Sequence, residues 1–234
     1  MALVGLVLAF PFLLVMAILI WLQDFQSPFY ITPRMAKGGG TFKMAKLRSM
    51  VVRADQRGGV STSATDCRIT PVGRLVRAYK IDEVMQLWNV LKGDMSLIGP
   101  RPQVYQDAAL YSEAEQRMLM VRPGISDMAS IVFSDEGEVL KNSANPDLRY
   151  NQMIRPWKSR LALLYIDKQS FHLDLRLIVL TLIALVWREA ALNRIQTLLV
   201  RWGADPLLIR MARRQEPLIA YPPPGANEIV ESCL

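Results

Sequence analysis

Histidine and cysteine are nearly absent from this sequence of 234 residues, which contains one histidine, His172, and two cysteines, Cys67 and Cys233. Zinc sites are built from clusters of these residue types, and no such cluster supports one in this sequence. The two cysteines lie far apart, so a disulfide framework is not expected. This shortage of cysteine favours a protein that faces the cytosol.

A nucleotide-binding P-loop is missing as well. Gly38, Gly39 and Gly40 form a run, but it lacks the Gly-Lys-Ser/Thr ending that supplies a lysine and a metal-binding hydroxyl. We predict that residues 37–40 instead join the two strands of a β-hairpin, because residues 29–34 and 41–50 have a composition typical of extended strands.

Acidic residues are outnumbered by basic ones. The chain has 21 Asp and Glu against 28 Lys and Arg, while 51% of its residues are hydrophobic. A chain that is both apolar and basic is typical of a membrane surface, where anionic headgroups attract Lys and Arg. Nucleic acid is the competing partner, and it is disfavoured because the positive charge is spread along the chain without a recognised binding motif.

Charged side chains are absent from residues 2–22. At about 1.5 Å per residue, a straight helix of this length just crosses a hydrocarbon core about 30 Å thick. Pro11, near its middle, removes one backbone hydrogen bond and bends a helix, so a re-entrant hairpin competes with a spanning helix. A cleaved signal peptide is disfavoured, because a basic leading region and an obvious cleavage site are lacking.

Residues 81–102 carry the most informative pattern of the chain. Asp82 and Glu83 precede apolar residues at helical spacing, which predicts an amphipathic helix that begins at the acids and ends at a Gly93 cap. Two prolines flank Arg101, which predicts a stiff loop whose arginine suits a phosphate. Taken alone, Asp82 and Glu83 are also ordinary acids of a helix start, favoured there by the helix dipole.

Four segments of the chain resemble bacterial sugar transferases, the monotopic polyprenol-phosphate phosphoglycosyl transferases that start surface-glycan assembly on a lipid carrier. They are KMAKLRSM at 43–50, ITPVGRLVRAYKIDEVMQLWNVLKGDMSLIGPRP at 69–102, VRPGI at 121–125 and, more loosely, SFHLDLRLIVLT at 170–181. The Asp-Glu pair followed by NVLKGDMS and GPRP is specific to that family. The segments keep one order along much of the chain, behind an apolar N-terminal segment.

The resemblance implies roles for individual residues. Asp82 attacks the β-phosphorus of a nucleotide diphosphate sugar, by family default a UDP-sugar, to form a covalent phosphosugar intermediate, and Glu83 holds Mg²⁺ together with Asp82. The implied substrate-binding residues are Arg77 and Arg101 for phosphate, Lys46 or Arg48 near the same pocket, and Arg122 as a turn residue or a nucleotide contact. The alternative for these cations is a basic surface that faces lipid headgroups.

The implied fold is mainly α-helical with a small β-hairpin, in a membrane-associated monotopic protein. Residues 1–28 are expected to form a Pro11-broken re-entrant membrane helix, residues 29–201 a phosphoglycosyl transferase domain with interfacial amphipathic helices, and residues 202–234 a partly disordered extension. The implied location is the bacterial inner membrane, with the catalytic domain facing the cytoplasm. The implied partners are polyprenol phosphate (undecaprenyl phosphate), a nucleotide diphosphate sugar and membrane lipids, with no nucleic acid; a homodimer is compatible.

The chain departs from the family pattern in two regions. Phe10 precedes Pro11, where the family usually has a serine whose hydroxyl satisfies a freed carbonyl. After Ile125 the usual Thr-Gly-Trp-Ala-Gln-Val is replaced, Ser134 falls near a usual arginine, and Ala162 stands at a common aspartate. The base and the sugar are therefore not specified by these residues. The alternative function is a catalytically weak lipid-binding scaffold of a glycan assembly complex.

Overall fold

The computed structural model describes residues 1–57, 59 and 61–232, in which Cys67 is an exposed free thiol; Cys233 lies outside the described residues. The described chain is mainly helical with short strands, as predicted. Its helices are α1 (Ala2–Leu22), α2 (Pro71–Ala78), α3 (Gln86–Lys92), α4 (Tyr105–Ala109), α5 (Glu113–Gln116), α6 (Met128–Val132), α7 (Glu136–Val139), α8 (Pro146–Met153), α9 (Arg155–Lys168), α10 (Phe171–Val186), α11 (Arg188–Arg201) and α12 (Pro206–Arg213). Its strands are β1 (Phe29–Met35), β2 (Thr41–Leu47), β3 (Ser96–Ile98) and β4 (Gly124–Ser126).

The predicted hairpin is confirmed. β1 and β2 pair antiparallel, with Tyr30 opposite Lys46 and Arg34 opposite Phe42. The turn between them places Gly38 at φ 81°, a left-handed conformation that glycine adopts without a steric cost. Because directly opposed residues share one face of a pair, Arg34 and Lys46 lie on the same face of this hairpin.

A second, parallel strand pair was not predicted from the sequence. β3 and β4 align Ser96 with Gly124 and Ile98 with Ser126. The backbones approach so closely beyond β3 that a Cβ atom on Gly124 would lie 2.1 Å from the amide nitrogen of Gly99. This contact fixes the start of the Pro-flanked loop that carries Arg101.

The apolar N-terminal segment forms one helix, α1, which continues through Pro11. It is the helix among the described residues that is long and apolar enough to cross a membrane. One face is buried in a small core shared with β2, α2 and the residue before Asp82; its buried members are Leu13, Met16, Ile20, Leu47, Val76 and Ile81. The opposite face is exposed, with Leu8 at 76%. The re-entrant path stays a prediction.

The largest core lies away from α1, among α6, α9, α10, α11 and α12. Its fully buried side chains include Trp157, Leu161 and Tyr165 of α9. α10 buries one face in this core and leaves the other apolar face exposed, including Leu182 and Val186. This two-sided character agrees with the predicted interfacial amphipathic helices.

The C-terminal extension contains α12 and an extended segment that crosses α8 and α9. The indole Nε1 of Trp157 donates to the carbonyl of Ile219 at 3.1 Å, and the Gln152 side chain donates to the carbonyl of Val230 at 2.8 Å. The ring of Tyr221 packs on Trp157 with centroids 4.7 Å apart. The described part of the extension is therefore attached to the main core by specific contacts.

Candidate active site

Asp82 and Glu83 lie in a 3₁₀ turn, Ile81–Glu83, and the helix predicted to begin at them begins only at Gln86. The predicted start was wrong for two reasons. Lys80 adopts a left-handed φ of 53°, which interrupts the helical backbone, and Ile81 packs in the core beside α1. Helical spacing of apolar residues does not report either effect. The acids therefore project from a turn between α2 and α3.

The predicted helix end is confirmed. Gly93 adopts φ 85° and its amide donates to carbonyls of the last turn of α3. Before it, the buried side chain of Asn89 joins α3 to β2: its Oδ1 accepts from the amide of Ala45 at 3.0 Å, and its Nδ2 donates to the carbonyl of Lys43 at 2.8 Å. Sequence reasoning missed this residue, although an amide among the apolar residues of a short helix was a usable sign of a buried polar contact.

Arg101 forms an ion pair with Glu83. The Nη2 atom of Arg101 lies 2.5 Å from Oε1 of Glu83, in a partly buried setting. The two residues are 18 positions apart, and they meet because the β3 and β4 pair places the Pro-flanked loop against the acid turn. The structure thus brings together the two features that the sequence predicted separately.

Lys46 and Lys80 add positive charge near the acid pair. Burial and the neighbouring Arg101 guanidinium lower the pKa of Lys46 to about 8, although Glu83 and Asp82 partly offset them. Burial likewise lowers the pKa of Lys80. Arg77, on the last turn of α2, attracts the Asp82 carboxylate. Cations therefore surround the acids from β2, from α2 and from the loop after β3.

The environments of the two acids push their pKa values in opposite directions. Burial raises the pKa of Asp82, and the negative charge of Glu83 adds to this, while Lys46 opposes it. Burial alone would raise the pKa of Glu83 too, but the charges of Arg101 and Lys46 dominate and lower it to about 2. Glu83 is thus an anion at neutral pH, paired with Arg101, and Asp82 is the more basic, more nucleophilic carboxylate.

Arg101 also lines a polar cleft. The empty space of this cleft, which includes open solvent, is about 460 Å³. Besides Arg101, its charged and hydroxyl-bearing lining residues are Asp107, Tyr111, Asp127, Ser130, Tyr150, Arg155, Lys158 and Ser159. Asp127 is also the N-cap of α6, within the stretch where the sequence departs from the family pattern. Sequence reasoning assigned no role to these residues, because they come from three separate stretches of the chain, 107–111, 127–130 and 150–159.

Two predicted substrate-binding residues lie elsewhere. Arg48 is buried and forms an ion pair with Asp24, with 2.5 Å between Nη1 and Oδ2, so it fastens the end of β2 to the residues after α1. Arg122 is exposed just before β4, and no hydrogen bond or ion pair with the described residues orients it. Of the predicted cations, Lys46, Arg77 and Arg101 are the ones that the structure gathers around the acid pair.

Comparison with known proteins identifies several relatives. The chain is 48% identical over 102 residues to a Bacillus subtilis protein provisionally named undecaprenyl-phosphate N-acetylgalactosaminyl 1-phosphate transferase, covering 44% of this chain and 57% of that relative. It is 38% identical over 138 residues to an Aeromonas hydrophila UDP-N-acetylgalactosamine-undecaprenyl-phosphate N-acetylgalactosaminephosphotransferase, covering 56% of this chain and 32% of that relative. It is also 35% identical over 156 residues to a Caulobacter vibrioides UDP-glucose:undecaprenyl-phosphate glucose-1-phosphate transferase, covering 63% of this chain and 58% of that relative.

The matched segment therefore spans less than two thirds of each of these relatives. A family model described as bacterial sugar transferase matches residues 1–188, which include α1, the acid turn, the Arg101 loop and α10. The match covers well over half of the chain. The chain belongs to the bacterial sugar transferase family.

Proposed function

We propose that this protein transfers a sugar-1-phosphate from a nucleotide diphosphate sugar, in the first instance a UDP-sugar, to a polyprenol phosphate. The observation that carries the proposal is a pair of adjacent carboxylates whose pKa values are shifted in opposite directions. Basic side chains that can bind phosphate surround this pair. The names of the relatives support it, since they describe transfer of sugar phosphates to undecaprenyl phosphate.

In the proposed reaction Asp82 is the nucleophile. One of its carboxylate oxygens attacks the β-phosphorus of the donor; the bond from this phosphorus to the bridging oxygen breaks, and nucleotide monophosphate leaves with that oxygen and the electron pair. An oxygen of polyprenol phosphate then attacks the same phosphorus. The aspartyl–phosphorus bond breaks, which restores the Asp82 carboxylate and yields a polyprenol diphosphate sugar.

The cations around Asp82 stabilise the charge that this reaction moves. Arg101 and Lys46 reach the acid pair from a loop and a strand that are fixed by backbone pairing, so they are held in place before substrate arrives. Fixed cations in a partly buried site stabilise a phosphoryl-transfer transition state more than they stabilise the solvated ground state. Arg77 supplies a further cation from α2.

The acid pair also fits a magnesium ion. Among the described residues, no hydrogen bond or ion pair engages the Asp82 carboxylate, while Glu83 gives one oxygen to Arg101. Mg²⁺ usually binds through one or two carboxylates and the substrate's own phosphates, which two adjacent carboxylates can supply. When bound, Mg²⁺ neutralises charge on the diphosphate and on the leaving nucleotide.

The position of α1 supports a site at a membrane surface, which we propose is the cytoplasmic surface of the inner membrane. Its inner face packs in the same core as Ile81, the residue immediately before the nucleophile, and its outer face is apolar and exposed. We propose that the outer face inserts into lipid along a re-entrant path. The acid turn then lies where the phosphate head of a membrane-embedded polyprenol can reach it.

The deciding experiment is a donor panel. The full chain in detergent micelles is incubated with Mg²⁺, undecaprenyl phosphate and a set of nucleotide diphosphate sugars that vary in base and sugar. We expect nucleotide monophosphate release from at least one donor, dependent on both lipid and metal. If no donor releases nucleotide monophosphate, the transferase proposal is wrong and the scaffold alternative stands.

Lys46→Arg is expected to move the alkaline limb of the pH profile to higher pH. Lys46, with a pKa of about 8, loses its charge as the pH rises through that value, whereas arginine stays protonated. The measurement is the rate of nucleotide monophosphate release at low donor concentration, which reports groups of the free enzyme. Lys141→Arg, on the exposed surface, is the matched control. Identical alkaline limbs in Lys46→Arg and wild type would contradict the role of Lys46.

A further inference from the structure

The inner face of the hairpin carries a second cation, Arg34, that the proposed reaction has not used. The β1 and β2 register places Arg34, opposite the buried Phe42, on the face that Lys46 shares, with the buried Met44 between Phe42 and Lys46. The next backbone amide, that of Met35, donates to the carbonyl of Gln103 at 2.9 Å. This bond ties β1 to the loop that carries Arg101, so Arg34 is held at the edge of the candidate site.

Arg34 is half-buried, and part of its guanidinium lacks the hydrogen-bond partner that a buried polar group normally has. Its Nε atom is buried with no hydrogen-bond acceptor, and no described residue forms an ion pair with it. A buried, unpaired polar group is costly, and a charged one more so. The positive charge of Arg34 therefore has no ion-pair partner among the described residues.

The charges near Arg34 belong to the polar cleft. Burial and the like charge of Arg101 lower the pKa of Arg34, and the carboxylate of Asp107 only partly opposes them. Arg101 and Asp107 both line the cleft. Two guanidiniums that lie near each other repel unless an anion lies between them, and planar guanidiniums bind phosphate oxygens with two parallel hydrogen bonds.

We propose that Arg34 is a substrate-binding residue that, together with Arg101, binds a phosphate group of a substrate. The inference rests on the proposed function, which supplies two phosphate-bearing ligands: the diphosphate of the donor and the phosphate head of the polyprenol. Arg34 contacts the phosphate from the hairpin side, while Lys46 and Arg101 contact it from beside the acid pair. The competing role is structural: attraction to Asp107 on α4 would hold that helix against β1.

The test is equilibrium binding to the full chain in detergent micelles, measured calorimetrically for Arg34→Gln, Arg34→Lys and wild type. The ligands are UDP and inorganic pyrophosphate in one arm, and a short-chain polyprenol phosphate in the other. Loss of a hydrogen-bonded charge should weaken the affected ligand about 10- to 100-fold. Weaker binding of UDP and pyrophosphate would show that Arg34 binds the phosphates of the donor. Weaker binding of the polyprenol phosphate alone would show that Arg34 binds the phosphate of the acceptor. Arg201→Gln, an exposed arginine of α11, is the matched control.

Affinity is expressed per folded molecule, with the folded fraction taken from thermal melts, so that loss of structure is separated from loss of binding. Arg34→Lys keeps the charge but loses the planar fork, and it should bind with intermediate affinity. Unchanged affinities in both variants, with or without a lower melting temperature, would overturn the inference and leave the structural role. If phosphate binding depends on Arg34 but the protein releases no nucleotide monophosphate from any donor, the proposed function is wrong and the inference about Arg34 stands.

Discussion

Asp82→Asn is expected to abolish nucleotide monophosphate release, with a rate loss of at least about 10⁴-fold, the scale seen when a nucleophile is removed. Asparagine has nearly the same size and shape, so the turn and its packing on α1 should persist. The neutral amide, however, lacks the carboxylate electron pair that forms the bond to phosphorus. The substitution therefore removes the carboxylate whose raised pKa makes it the more basic of the two acids.

Two measurements separate this role from a general loss of structure. The first is nucleotide monophosphate release by Asp55→Asn, an exposed acid, which should match that of wild type. The second is retention of label on the denatured protein after incubation with a donor labelled in its sugar phosphate, which wild type should show and Asp82→Asn should not. Normal release by Asp82→Asn would mean that another group is the nucleophile.

Arg101→Gln is expected to slow nucleotide monophosphate release by about 10²- to 10³-fold, the scale for losing one fixed group that stabilises transition-state charge. The variant loses the guanidinium on the phosphate and also releases Glu83, whose carboxylate lies 2.5 Å from it in the native protein. Lysine at this position should restore only part of the rate, because an ammonium cannot form the planar fork. A rate close to that of wild type in Arg101→Gln would exclude Arg101 from the site.

The same variant should change the acid side of the pH profile. In the native protein burial favours protonation of Glu83. The positive charges of Arg101 and Lys46 outweigh this effect and lower the pKa of Glu83 from its ordinary 4.5 to about 2. The lowered pKa adds stability that is fully present above about pH 4.5 and is lost as the pH falls towards about 2. Without Arg101, burial opposes the remaining cations and the pKa of Glu83 rises, so activity and melting temperature should both decline at a higher pH than in wild type. Superimposable acid limbs would contradict this account, and Arg201→Gln again serves as control.

Local features of the site were predictable where neighbouring residues alone determine them. The hairpin follows from two strand-like stretches around three glycines, and the Gly93 cap follows from the glycine that ends the helical pattern. The helix start at Asp82 was not predictable, because it depends on Ile81 packing against α1, which is remote in sequence. The strands β3 and β4 are three residues each, too short for a periodic pattern, and their pairing depends on the close approach of Gly99 and Gly124.

The roles of the basic residues divide in the same way. Lys46 and Arg48 are two residues apart at the end of β2, and the family resemblance implied that one or the other lies near the phosphate pocket. The structure pairs Arg48 with Asp24 and directs Lys46 to the acids. In the sequence Arg34 is one of 28 basic residues, and only its unpartnered Nε atom and its nearness to Arg101 distinguish it.

By itself, the sequence determined the family, the chemical types that meet at the site and the apolar helix in front of them, because motifs and hydrophobic runs are properties of the linear chain. The tertiary structure alone decided the difference between the pKa values of Asp82 and Glu83. That difference comes from burial and from the nearness of Arg101 and Lys46, which lie 18 and 37 residues away from Glu83 (101 − 83 and 83 − 46). Electrostatic interactions depend on separation in space and on exclusion of water, and neither quantity can be read from spacing along the chain.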